Sequence, residues 1–187
     1  MIQRLFGLAL MAGLALPCLA QGEARVGMPA SDELIGVLAG IVHYTRWPAA
    51  PTPLHVCVDA RDDLAGGAGA RHLADALAEL GPGPVVIEGR RLEAGAASVV
   101  DCQAIYVGDV PPVVWQRLLK ELVNRPTLTI GYSEDFCSWG GQFCLERGAP
   151  ATANLRIRAN LDAISRSGLR VNPQLLRLTQ RDPKAPR

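Results

Sequence analysis

The chain has 187 residues, of which 49% are hydrophobic and 20% charged, with a formal net charge of +1. That balance fits one folded domain with a sizeable core and excludes a disordered or collagen-like chain. Lys and Arg number 19 against 18 Asp and Glu, and aromatics make up 5%, so the basic surplus that phosphate backbones select is missing and no nucleic acid is expected as a partner.

The N-terminus points to a compartment. Arg4 precedes an apolar stretch over residues 5–16, followed by Pro17 and by Cys18-Leu19-Ala20, whose first and last side chains are small. This is the pattern of a signal peptide over residues 1–20, cut after Ala20. About 12 apolar residues fall short of the roughly 20 that cross a bilayer as a helix, and Pro17 is a poor neighbour for acylation of Cys18. Cleavage removes Arg4, so the 19 basic residues fall by one to equal the 18 acids, and a formally neutral, soluble periplasmic chain is expected.

Residues 21–30 read as a loose segment. From Ser31, an N-cap followed by Asp32 and Glu33, the residues Leu34, Val37, Leu38, Ile41 and Tyr44 recur at helical spacing until Trp47-Pro48, which predicts an amphipathic helix. Residues 54–58 read as a strand. Leu73, Leu77 and Leu80 mark a helix closed by Gly81-Pro82, and residues 85–87 a second strand. A weak helical stretch over 92–97 leads to a third strand at 104–107. Asp109 and Pro111-Pro112 then open a helix carrying Val114, Leu118, Leu119 and Leu122. Residues 127–131 give a fourth strand, and residues 142–145 and 155–157 give two more around a loop at 148–152. Asn160 caps a helix ending at Gly168, a last helix starts at Asn172-Pro173 with Leu175, Leu176 and Leu178, and residues 181–187 are a polar tail.

Strands and helices that alternate, with nearly continuous apolar strands, predict a single α/β domain over residues 31–180. Its mainly parallel sheet of about five to six strands is flanked by helices on both faces, with a C-terminal antiparallel pair. Four cysteines remain after export: Cys57, Cys102, Cys137 and Cys144. An even count in an oxidising compartment implies two disulfides. Three connectivities are open to sequence. The Gly-containing segment between Cys137 and Cys144 can turn back on itself, which favours a bridge there and leaves Cys57 with Cys102.

The residues show no catalytic constellation. There is no Cys-x-x-Cys for a redox centre. His43, His55 and His72 lack paired ligand spacing, so no metal is expected. Gly66-Gly67-Ala68-Gly69-Ala70 stands where a phosphate loop would stand but completes neither phosphate-binding glycine pattern, so no cofactor is expected. Ser133 and Ser138 have only Glu134 and Asp135 nearby, which reads as turn capping rather than as a nucleophile with its base. The expectation is a binding protein, not an enzyme.

Several stretches together resemble a known family. These are Tyr44-Thr45-Arg46-Trp47-Pro48, Leu54-His55-Val56-Cys57-Val58, Thr127-Leu128-Thr129-Ile130-Gly131 leading into Phe136-Cys137-Ser138-Trp139-Gly140-Gly141-Gln142-Phe143-Cys144, and the ending Asn160-Leu161, Ser167-Gly168-Leu169 and Leu175-Leu176-Arg177-Leu178. In order and spacing they resemble the YfiR-like periplasmic proteins over roughly residues 31–180. Asp59 departs from the glycine that many relatives carry there. The resemblance implies the same cysteine pairing, one close C-terminal pair and one distant pair. It also implies a homodimer that binds the periplasmic region of an inner-membrane diguanylate cyclase, lowering cyclic-di-GMP and biofilm formation, with an outer-membrane lipoprotein relieving the inhibition.

Two features are candidates for contact with a partner or a dimer mate. One is the apolar excess of the first helix, Ile35, Leu38 and Val42, which exceeds one core stripe, with full burial in the core as the equal alternative. The other is Trp139, whose loop is too small to bury an indole within itself, so that it must pack on the domain, a dimer mate or a partner; because exposed indoles are uncommon, the core or dimer reading is preferred to a partner anchor. A second class, a small-ligand sensor, would use the carboxyl ends of the parallel strands, where Asp59, Arg61, Gly108, Asp109 and Tyr132 fall. A third, a redox sensor, would require one reducible bridge.

Overall fold

A computed structural model describes residues 31–81, 83–108, 110–147 and 155–175. The expectations for the signal peptide, the loose segment at 21–30, Asp109, the loop at 148–152, Leu176, Leu178 and the polar tail lie outside the described residues.

Helix α1 spans Asp32–His43, and the Ser31 hydroxyl accepts from the Leu34 N–H as expected of its cap. The helix stops before Trp47-Pro48 because Thr45–Arg46 (β1) turns extended and pairs antiparallel with Arg170–Val171 (β8). The carbonyl of Tyr44 accepts from the Asn172 N–H at 2.9 Å. Neither two-residue strand carries an apolar period that sequence could show. The indole N–H of Trp47 donates to the Gln103 carbonyl at 3.1 Å, so the Trp-Pro segment straps the end of α1 to the sheet.

The main sheet contains β2 (Leu54–Asp59), β3 (Val85–Arg90), β4 (Ala104–Val107), β5 (Leu128–Gly131), β6 (Phe143–Arg147) and β7 (Leu155–Ala159). Its order is β3-β2-β4-β5-β6-β7, parallel except for the antiparallel β6–β7 pair. The remaining helices are α2 (Gly67–Glu79), α3 (Pro112–Glu121), α4 (Glu134–Ser138) and α5 (Leu161–Ser167), with 3-10 segments at Asp63–Ala65 and Leu92–Val99. The alternation of side chains along a strand divides the core in two. Leu54, Val56, Val58, Ala104 and Tyr106 join a cluster with Leu34, Leu73 and Leu77 of α1 and α2. Cys57, Ile105 and Val107 join Leu92, Trp115, Leu118 and Phe136 on the opposite face. This is the mixed α/β domain with helices on both faces that the sequence predicts.

The apolar excess of α1 has a different use from the partner contact considered above. Ile35, Leu38 and Val42 are each 2% exposed. Leu38 and Val42 close with Leu73, Leu77, Val56 and Tyr106 around a residual space of about 10 Å³. The helix buries a wide stripe because it meets both the sheet and α2, so these three side chains are core and are not offered to a partner.

Candidate functional site

The segment between β5 and β6 carries the most exposed Trp, Tyr or Phe side chain of the described residues, and its geometry follows from three glycines. Helix α4 is one turn, started by the Ser133 hydroxyl accepting from the Asp135 N–H. Phe136 points inward, fully buried, its ring edge-on to Trp115 at a centroid distance of 5.5 Å. A Cβ on Gly131 would lie 2.3 Å from that ring and one on Gly141 2.1 Å, so both positions exclude a side chain. Gly140 has φ +102, a conformation that L side chains rarely adopt. The chain therefore turns at Gly140-Gly141 with Phe136 inside, and Trp139, at the cap of α4, is left outside at 52% exposure rather than in the core where it is expected to pack, because Phe136 takes the inward position.

Disulfides hold this arrangement. Cys137 bridges Cys144 and Cys57 bridges Cys102, each with a Cα–Cα distance of 5.8 Å, ordinary for a disulfide; this is the pairing expected from loop length. The side-chain amide of Asn160 donates to the Cys137 carbonyl at 2.8 Å while its oxygen caps α5 at Ala163, which ties the loop to α5. Gln142, buried, accepts from the Thr129 N–H at 3.0 Å on its side chain, donates its side-chain amide to the Thr127 carbonyl at 3.2 Å, and donates its backbone N–H to Thr129 Oγ1 at 3.1 Å. It fills the gap below the point where the β5–β6 ladder begins.

Trp139 stands over a groove of about 130 Å³ whose floor includes Gln142 and Leu122 and whose rim carries Lys120 and Arg166. Val123, 57% exposed, also lines it. Arg166 is paired along its own helix with Asp162. The groove can take an apolar side chain against the indole and carboxylates at the rim.

The strand ends proposed for a small ligand are filled by the chain itself. The sheet order places the topological switch between β2 and β4, where ligands of open α/β sheets bind. There the buried Asp59 carboxylate accepts from Arg61 Nε at 2.7 Å and from the second guanidinium nitrogen at 2.9 Å, and Arg61 also reaches Glu93 at 3.4 Å. Burial alone would push the Asp59 carboxyl up, but the hydrogen bonds and charge of Arg61 together hold it below the ordinary carboxylate range, and Asp59 in turn raises Arg61. Gly108 lies so close to Asp62 that a Cβ there would be 1.9 Å from its carboxylate. Tyr132 packs against the α1-side cluster. The structure thus brings Asp59, Arg61 and Gly108 to one end of the sheet and leaves the Asp59 carboxylate engaged by Arg61.

The histidines are dispersed. His43 meets Tyr44 edge-on, His72 is 3.7 Å from Asp32, and His55 lies beside Glu88 on the neighbouring strand. Among the described residues no helix is long and apolar enough to cross a membrane.

The mostly parallel α/β sheet is braced by two buried disulfides, with a groove beside a covalently closed loop, a construction suited to an oxidising compartment. Residues 35–180 match the YfiR/HmsC-like family, and the chain belongs to it. That family is one of periplasmic regulators. The fold is similar to the crystal structure of the ABC domain in complex with L-Trp from Streptococcus pneumonia, at a TM-score of 0.50 and 11% identity, covering 81% of this chain. The match spans 61% of that chain's length, and the likeness is one of fold.

Proposed function

We propose that this chain is exported by a cleavable signal peptide and acts in the periplasm as an inhibitory binding protein. It represses an inner-membrane diguanylate cyclase through the cyclase's periplasmic region, lowering cyclic-di-GMP and biofilm formation. It works as a homodimer and is relieved by an outer-membrane lipoprotein. Membership of the YfiR/HmsC-like family across residues 35–180 carries this reading, and the exposed Trp139 over its groove supports it with a rigid aromatic anchor. Because the loop is covalently closed, the indole loses little freedom on binding. Inhibition is a population shift: the chain binds the inactive cyclase better than the active one, and only that difference in affinity changes output. Deleting the chain is expected to raise cyclic-di-GMP and surface attachment. Unchanged cyclic-di-GMP in the deletion strain overturns the inhibitor reading and favours the second one, a small-ligand sensor, for which the groove of about 130 Å³ is the supporting feature.

A further inference from the structure

His55 of β2, Glu88 of β3 and Asp101 just before β4 present ligand atoms that all lie within 4.8 Å of one another, and among the described residues no other three His, Cys, Asp or Glu donors converge in this way. We infer that these three side chains form a binding site for a divalent transition-metal ion of the zinc type, on the sheet face that carries the Cys57–Cys102 bridge. His55 Nδ1 lies 3.4 Å from Glu88 Oε1, and two ligands bound at about 2.0–2.1 Å with a tetrahedral angle between them stand roughly 3.3–3.4 Å apart. Nδ1 is shielded from solvent yet has no hydrogen-bond partner. In the tautomer protonated at Nε2 the Nδ1 lone pair is free to bind an ion.

Glu88 is already oriented, and Asp101 is tethered beside it. Arg90 donates to Glu88 Oε2 and, at 3.0 Å, to Asp101 Oδ2, leaving Glu88 Oε1 facing the imidazole. An arginine holding the outer oxygens is the kind of support that fixes ligating carboxylates in metal sites. Two carboxylates against one guanidinium also leave a formal negative charge for a cation to neutralise. The backbone is held as firmly. Gln103 donates its N–H to the His55 carbonyl at 3.0 Å, accepts the His55 N–H on its side chain at 2.9 Å, and donates its side-chain amide to the Asp101 carbonyl at 3.0 Å. The bridge from Cys57, two residues beyond His55, to Cys102, next to Asp101, clamps the same two segments together. Only the Asp101 side chain, 50% exposed, has to swing inward, with water completing the coordination.

The test is calorimetric titration of the purified, oxidised chain with zinc chloride in a non-chelating buffer, repeated with cobalt(II), whose visible bands report the ligand set. One ion per chain is expected. Affinity should fall at least tenfold in His55→Gln and in Asp101→Asn and stay unchanged in His43→Gln and His72→Gln. Asp101 is a surface residue, so its variant keeps the test decisive should His55→Gln melt early. No binding at millimolar zinc, or undiminished binding in either variant that melts like the parent, overturns the site.

Discussion

Trp139 and Trp115 are chemically identical side chains placed oppositely, the first 52% and the second 2% exposed, and that difference separates function from stability. Trp139→Ala should leave the unfolding free energy within about 0.5 kcal/mol while weakening cyclase repression, whereas Trp115→Ala should cost about 3–5 kcal/mol. Thermal melts read beside cellular cyclic-di-GMP check this, and a collapsed melting temperature for Trp139→Ala would remove the anchor. Asp59 predicts a pH dependence. Its folded-state carboxyl titrates below that of the unfolded chain, near pH 4, so the stability it contributes is present above that pH and lost as pH falls through the folded value. Exposed Glu121, lowered by the Ala96 N–H and then by Arg117, acts in the same direction but is screened by solvent. Between about pH 5 and pH 3 the parent melting temperature should therefore drop more steeply than that of Asp59→Asn, which starts lower for lack of the Arg61 pair. Parallel slopes would refute the assignment.

At the scale of elements, the loop from α4 to β6 is where the sequence was hardest to read. Five residues, Glu134–Ser138, hold two acids, one Phe and one Cys, too few to show a helical period, so they read as capped turns. The Gly140-Gly141 pair was visible, but its reason was not, because the ring that demands it comes from Phe136 and is brought there by the fold. Gly141→Ala should then destabilise by about 1–3 kcal/mol or more, since the new methyl meets a fully buried ring and, at 2.9 Å, the Phe136 carbonyl. Gly36→Ala, on the exposed face of α1 with nothing within 4 Å of the added Cβ, should instead stabilise by about 0.4–1 kcal/mol. Denaturant midpoints of the two variants give opposite signs if packing decides. Two losses of equal size would count against it. The His55, Glu88 and Asp101 cluster was hidden for a related reason. It joins three segments far apart in the chain, and only the β2–β3 register and the Cys102 bridge bring them together.

Across the whole molecule, what was legible followed from period and punctuation. The caps at Ser31 and Asn160, the apolar strands and the closing glycines each answer to local chemistry, and the structure has them where the sequence places them. What depends on chain segments meeting, such as the burial of Ile35, Leu38 and Val42 by α2 or the β1–β8 pair, has no local signature. The two disulfides differ at this scale as well. Cys57 to Cys102 closes a separation of 45 residues and joins central strand β2 to the segment entering β4, while Cys137 to Cys144 closes 7. In the chain-entropy picture the first is worth about 4 kcal/mol and the second about 2.4. All four sulfurs belong to the same core cluster, so the local cost of a buried serine is similar at either bridge and the loop term decides. Cys57→Ser should accordingly melt lower than Cys137→Ser by roughly 3–6 °C at about 2–4 °C per kcal/mol. The melts are run without reductant, with non-reducing mass mapping to confirm that free Cys102 has not exchanged with the other pair. Equal melting points, or a larger loss from Cys137→Ser, would show that the short bridge contributes by packing Phe136 and Trp139 in place rather than by closing a loop.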